Sequence, residues 1–169
     1  DNISGTNNFD IHSGTEYIKE LIHESNEKLA VNQSMKLPKD NVIDVLPIRV
    51  QYQIEGISYH KEEEHWFFDH KNDRYNVMSS KLWEKYAEDD SVAHVFMIED
   101  HPDSLRSKTY GGIAGRGVGT LKFVKLSGCY SLLHDTIWKD DGSFWIRGPN
   151  FAAGLLNHEL GHVLGLGHS

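Results

Sequence analysis

Cysteine is almost absent from this chain. Cys129 is the single one in 169 residues, so no disulfide can form within it. The plain reading of Cys129 is a small buried residue in a strand; a free reactive thiol or a bridge to another chain is the alternative. The lack of disulfides does not fix a compartment, because secreted proteins of this size can do without them. Long apolar runs are missing too. None approaches the ~20 residues needed to cross a bilayer, and the start shows no secretory h-region. Basic charge is scarce: 17 Lys and Arg against 25 Asp and Glu leave a net charge of -8. Phosphate binding needs a basic face, so nucleic acid is not an expected partner.

What remains is ordinary for a globular domain. Hydrophobic residues make up 38% and charged residues 25% of the chain, and the length suits one domain with one core. No internal repeat, low-complexity tract or second domain boundary interrupts it. Residues 1–14, DNISGTNNFDIHSG, are polar and rich in Asn, Gly and Ser, and read as a flexible N-terminal arm. The spacing of Ile18, Leu21, Ile22, Leu29 and Ala30 predicts a helix over Thr15 to Val31. LPIRVQYQIEG alternates, with Ile48, Val50, Tyr52 and Ile54 on one side, and predicts a strand with one buried face. Trp66, Phe67 and Phe68 suggest a short strand. Ser79 or Ser80 is the expected cap of a helix reaching about Glu88, with Leu82, Trp83 and Tyr86 inward.

SVAHVFMIED is a nearly continuous apolar run and reads as an interior strand, with His94 as a core histidine. YGGIAGRGVGT carries five glycines in eleven residues. LKFVKL and CYSLLHD suggest two more strands, and TIWKDDGSFWIRG a tight hairpin. Asn150 is the expected cap of a last helix beginning near Phe151. This order predicts an α+β domain, one twisted mixed sheet backed by helices.

The chemistry is concentrated at the end, in NHELGHVLGLGHS. His158 and His162 are four residues apart, which on a helix places both imidazoles on one face, a turn apart. Neutral imidazole is a good zinc ligand. Glu159 adjoins the first histidine, where a carboxylate can act on a metal-bound water as general base without ligating the metal. His168 lies six residues beyond His162, so the chain must turn to bring it back; Gly165 permits that turn. Three protein ligands and an open position is the arrangement of a catalytic zinc. From this composition, a chance match to all five fixed positions is expected in roughly 3 of 10,000 shuffled sequences, so a bare coincidence is a poor explanation. The plain alternative is a helix whose histidines cap or pack without metal.

His158-Glu159-x-x-His162-x-x-Gly165-x-x-His168 resembles the zinc signature of the metzincin metallopeptidases. The motif spans only the last eleven or so residues. HELGHVLGLGHS by itself resembles matrixins. The long first helix, LPIRVQYQI and VFMIED…GGIAG look more like the pappalysin branch and related bacterial secreted proteins. The resemblance implies a metzincin-like N-terminal subdomain over residues 15–169. It implies His158, His162 and His168 as ligands of one zinc ion, and Glu159 as general base and proton shuttle. It also implies an extended peptide or protein substrate laid beside an edge strand, and an extracellular or cell-surface setting. The Gly-rich stretch from Gly111 to Leu121 is the candidate rim for that substrate; a bulged connection without substrate contact is the plain alternative.

The sequence also departs from that family. Metzincins carry a methionine turn after the third histidine, whereas Met35, Met78 and Met97 all precede it here. The resemblance therefore implies that this sequence is a fragment lacking the C-terminal subdomain. Two functional readings follow. One is a zinc endopeptidase; the other is a non-catalytic or inactive zinc-binding domain of the same fold that binds a partner peptide.

Other clusters are weaker. His60, His65 and His70 surround Glu62, Glu63 and Glu64, where a second metal site competes with a solvated surface segment. Asp135, Asp140 and Asp141, or Glu99, Asp100 and Asp103, have the oxygen-rich character of calcium loops. Neither has a recognised ligand spacing, so calcium is unsupported and exposed turns are the simpler reading.

Overall fold

The structure, a computed structural model, describes residues 11–31, 49–61, 64, 67–68, 77–87, 91–100, 112–116, 121–127, 129–130, 137–138 and 145–168. The first helix, α1, runs Ile11–Val31. It starts four residues earlier than the apolar spacing predicts, so residues 11–14 of the expected arm are helical. Its buried stripe is Tyr17, Leu21 and Ser25, one turn apart, with Ile18, Ile22 and Leu29 half-buried and Ala30 exposed. Tyr17, fully buried, was not among the expected core residues. Ser25 is tolerated in this stripe because its hydroxyl donates to the Leu21 carbonyl at 2.7 Å.

The segment 49–61 differs from its expected form. Its residues belong to no strand. Instead Asn26 of α1 grips Tyr52 from both sides of the peptide: the Tyr52 N–H donates to Asn26 Oδ1 at 2.8 Å, and Asn26 Nδ2 donates to the Tyr52 carbonyl at 2.9 Å. A carboxamide offers the same donor and acceptor as a strand neighbour's backbone, so one side chain replaces a ladder. The alternation survives as exposure: Tyr52 and Ile54 are half-buried, while Gln51, Gln53 and Glu55 are exposed. Val50, expected on the buried side, is 44% exposed. Further along, the Tyr59 hydroxyl meets Thr15 Oγ1 at 2.9 Å, and His60 stacks on Tyr86 with ring centroids 3.9 Å apart.

The second helix, α2, spans Val77–Tyr86. Ser79 and Ser80 therefore lie inside it and do not cap it. The strands are β1 (Phe67–Phe68), β2 (His94–Asp100), β3 (Gly112–Arg116), β4 (Leu121–Ser127), β5 (Cys129–Tyr130), β6 (Ile137–Trp138) and β7 (Trp145–Arg147). Among the described residues they pair in two groups. One has the order β1-β2-β4-β3, the other β5-β7-β6. Strand β2 is interior and runs parallel to both neighbours, with His94 opposite Phe123 and Ile98 opposite Ser127. Strand β3 is an edge, antiparallel to β4, and its register shifts between Gly115 and Arg116. Trp138 pairs with Trp145 across the expected hairpin. Of CYSLLHD, Cys129 and Tyr130 are in a strand; residues 131–136 lie outside the described residues.

The last helix, α3, spans Pro149–Val163. It packs on α1 on one side and on β3 and β4 on the other. Ala152, Ala153, Leu156 and Leu160 join Tyr17 and Leu21 in one core, with Tyr52, Met97, Ala114, Leu155 and Val163 packed around it. Leu164 is 62% exposed, because the helix has ended before it. A smaller cluster joins Leu82 of α2 to Ile98 of β2. No helix among the described residues is long and apolar enough to cross a membrane.

Candidate metal centre

The site is built by the two ends of α3. At its start the cap is Gly148, with Pro149 in the first turn and no side-chain cap. Proline suits this position because its missing N–H would be unpaired there anyway. Asn150, expected as the cap, lies inside the helix and ties it to α1. Its Nδ2 donates to Glu24 Oε2 at 2.6 Å, and its Oδ1 accepts from Lys28 Nζ at 3.2 Å.

At the other end the helix closes in a Schellman motif. Gly165 N–H donates to the His162 carbonyl at 3.0 Å and Leu166 N–H to the Gly161 carbonyl at 2.9 Å. Gly165 has φ +93°, a left-handed conformation that a Cβ disfavours. The chain thus reverses after Val163 and carries His168 back over the last turn. The reversal also aims the Leu166 carbonyl at the helix, where it accepts from His162 Nδ1 at 2.6 Å. That bond places the His162 proton on Nδ1 and leaves its Nε2 lone pair free, the tautomer a metal ligand needs.

His158, His162 and His168 are brought together as the spacing predicts. Their Nε2 atoms form a nearly equilateral triangle: 3.2 Å from His162 to His158, 3.0 Å from His162 to His168 and 3.1 Å from His168 to His158. The His162 ring stands nearly perpendicular to the other two, at 84° and 86°. Three nitrogens so close cannot all satisfy each other with hydrogens, since each carries either one proton or one lone pair. A single metal ion could be held by all three. Three imidazole nitrogens are a donor set that would suit zinc. Among the described residues, this is the group of His, Cys, Asp and Glu able to hold a metal ion.

Glu159 follows His158 by one residue, about 100° around the helix, and turns inward from the exposed face. It is 6% exposed, while His158 and His168 are exposed and His162 is half-buried. Its carboxylate takes a hydrogen bond from the backbone N–H of Ala114 in β3. Burial raises its pKa above the ordinary value; His158, His162, the Ala114 N–H and His168 pull it down by smaller amounts. The Gly-rich stretch singled out as a rim therefore does meet the site, through Ala114.

The other candidates do not assemble into a site among the described residues. His60 stacks on Tyr86; His65 and His70 lie outside the described residues, as do Asp103, Asp135, Asp140 and Asp141. His94 is half-buried, its ring 6.3 Å from that of Phe96. Sequence reasoning did not find the Leu166 carbonyl, the Ala114 N–H or the Asn150 bridge. The glycine at position 165 was the available signal for the first; the second is a backbone group and has none. No family model, curated protein or solved structure matches this chain.

Proposed function

We propose that this chain is a zinc-binding, metzincin-like α+β metalloendopeptidase domain that hydrolyses peptide bonds outside the cell. The observation that carries the reading is the triangle of Nε2 atoms, each about 3 Å from the next, with one ring already held in the ligand tautomer by Leu166. His158, His162 and His168 are the ligands. Bound zinc supplies Lewis acidity, making water ionisable near neutral pH and polarising a carbonyl. Glu159 is the general base: it accepts a proton from the attacking water and delivers it to the amide nitrogen as the C–N bond breaks. The substrate is an extended peptide, for which β3, the edge strand in the order β1-β2-β4-β3, is the candidate neighbour.

A second reading keeps the metal and drops the catalysis, leaving a domain that binds a partner peptide. What favours it is the position of Glu159, buried and engaged by the Ala114 backbone. Metal content with intact mass is the first test. Zinc near one equivalent is expected, and its loss in His162→Ala. Peptide-library cleavage that disappears in Glu159→Gln then selects the peptidase. A chain that takes up no zinc on dialysis overturns both readings.

A further inference from the structure

We propose that Asn157 is a positioning residue that locks the rotation of α3 on α1, so that His158 faces solvent while Glu159, the next residue, turns inward to Ala114. The inference rests on the metal reading above. Asn157 lies between Leu156, fully buried, and His158, exposed. Its Nδ2 donates to the carbonyl of Ser25 in α1 at 3.1 Å. A main-chain carbonyl has two lone pairs, so Ser25 can serve its own helix and Asn157 together. The amide orientation is determined, because the flipped form would set Oδ1 against the Ser25 carbonyl, acceptor to acceptor.

The other half of this amide is idle. Asn157 Oδ1 is buried and meets no donor among the described residues. Half of a desolvated amide is unused, so an apolar side chain of similar size would serve packing at least as well. What the asparagine adds is direction. The surrounding contacts, Ala152, Ala153, Leu156 and Leu160 against Tyr17 and Leu21, are apolar and permit small rotations and slides. Asn157 and Asn150 are seven residues apart, two helical turns, and so mark the same edge of α3. They fasten it to α1 at Ser25 and at Glu24 and Lys28. With that edge held, His158 points to solvent while Glu159, the next residue, reaches Ala114.

The test is zinc affinity by chelator competition, the cobalt(II) absorption spectrum and the thermal midpoint of the metal-free chain, for wild type, Asn157→Leu and Asn157→Ala. The alanine variant cannot overpack and serves if the leucine variant does not fold. Zinc binding is expected to weaken about tenfold, as for other residues that orient ligands, with altered cobalt bands and no loss of midpoint in Asn157→Leu. Wild-type affinity and spectrum in either folded variant would overturn the proposal. So would a loss of affinity matched by an equal loss of midpoint, which marks a plain packing residue. Failure of the wild type itself to bind zinc or cobalt would instead remove the metal reading.

Discussion

The two sides of α3 are built by opposite rules. Toward α1 and the sheet, the helix presents Ala152, Ala153, Leu156 and Leu160, all buried. Such contacts are non-directional and tolerate substitution if volume is kept. Toward solvent, it presents imidazoles whose nitrogens lie about 3 Å apart. That arrangement is directional and offers nothing to stability without a cation. The difference teaches that fold and chemistry here draw on interleaved but separate residues of one helix, and that each can be perturbed alone. Only Glu159 and Asn157 belong to both sides, one through its buried carboxyl and the other through its hydrogen bond to Ser25.

The largest expected effect breaks the chemistry and leaves the fold. Glu159→Gln should lower peptide hydrolysis by roughly 10²–10⁴-fold, with zinc content unchanged in the same preparation. The same variant tests the burial of this group. Its carboxyl is raised above the ordinary 4.5, so the folded state favours the protonated form. Its contribution to stability is present below the ordinary value and is lost as pH rises through the raised one. Metal-free Glu159→Gln should therefore unfold at a higher temperature than wild type at pH 7, and the gap should close toward pH 4. An equal gap at both pH values would mean that Glu159 does not titrate as a buried acid.

Leu156→Ala does the reverse. It opens a cavity in the core and should cost about 2–5 kcal/mol in denaturant unfolding. The fraction that stays folded should still bind zinc as wild type does; a parallel loss of affinity would show that the two sides are not separable. Gly165→Ala tests the join between them. A Cβ at φ +93° should cost about 1–2 kcal/mol, and chelator competition should reveal weaker zinc binding because His168 and the Leu166 carbonyl shift together. The smallest effect is expected far from the metal. Asn26→Ala removes the grip on Tyr52 and should cost about 1 kcal/mol, with zinc affinity unmoved. Faster hydrogen exchange confined to residues 49–61 would locate the loss.

Legibility in the sequence varied with the kind of interaction. Leu21 of α1 and Leu82 of α2 followed from apolar spacing, Tyr17 did not, and the end of α3 followed from Gly165. The interior place of β2 followed from an apolar run without alternation. The segment 49–61 was misread, because a period of two records which side is buried and not what pairs with the backbone. Any donor and acceptor at the right spacing will do, and Asn26 supplies both. Asn150 was misplaced for a related reason. Gly148-Pro149 already starts the helix, which frees the Asn150 side chain to bridge to α1.

The sequence alone determined the candidate ligands, the helix that carries two of them and the turn that returns the third. All of that lies within one short stretch, where spacing and the glycine conformation dictate geometry. The tertiary structure decided that the Leu166 carbonyl orients His162, that Glu159 meets Ala114 of β3, and that Ser25 holds Asn157. Each of those partners is a main-chain group. Main-chain donors and acceptors are alike at nearly every position, so no residue letter announces them, and only the packing of α3 between α1 and the sheet selects which ones are used.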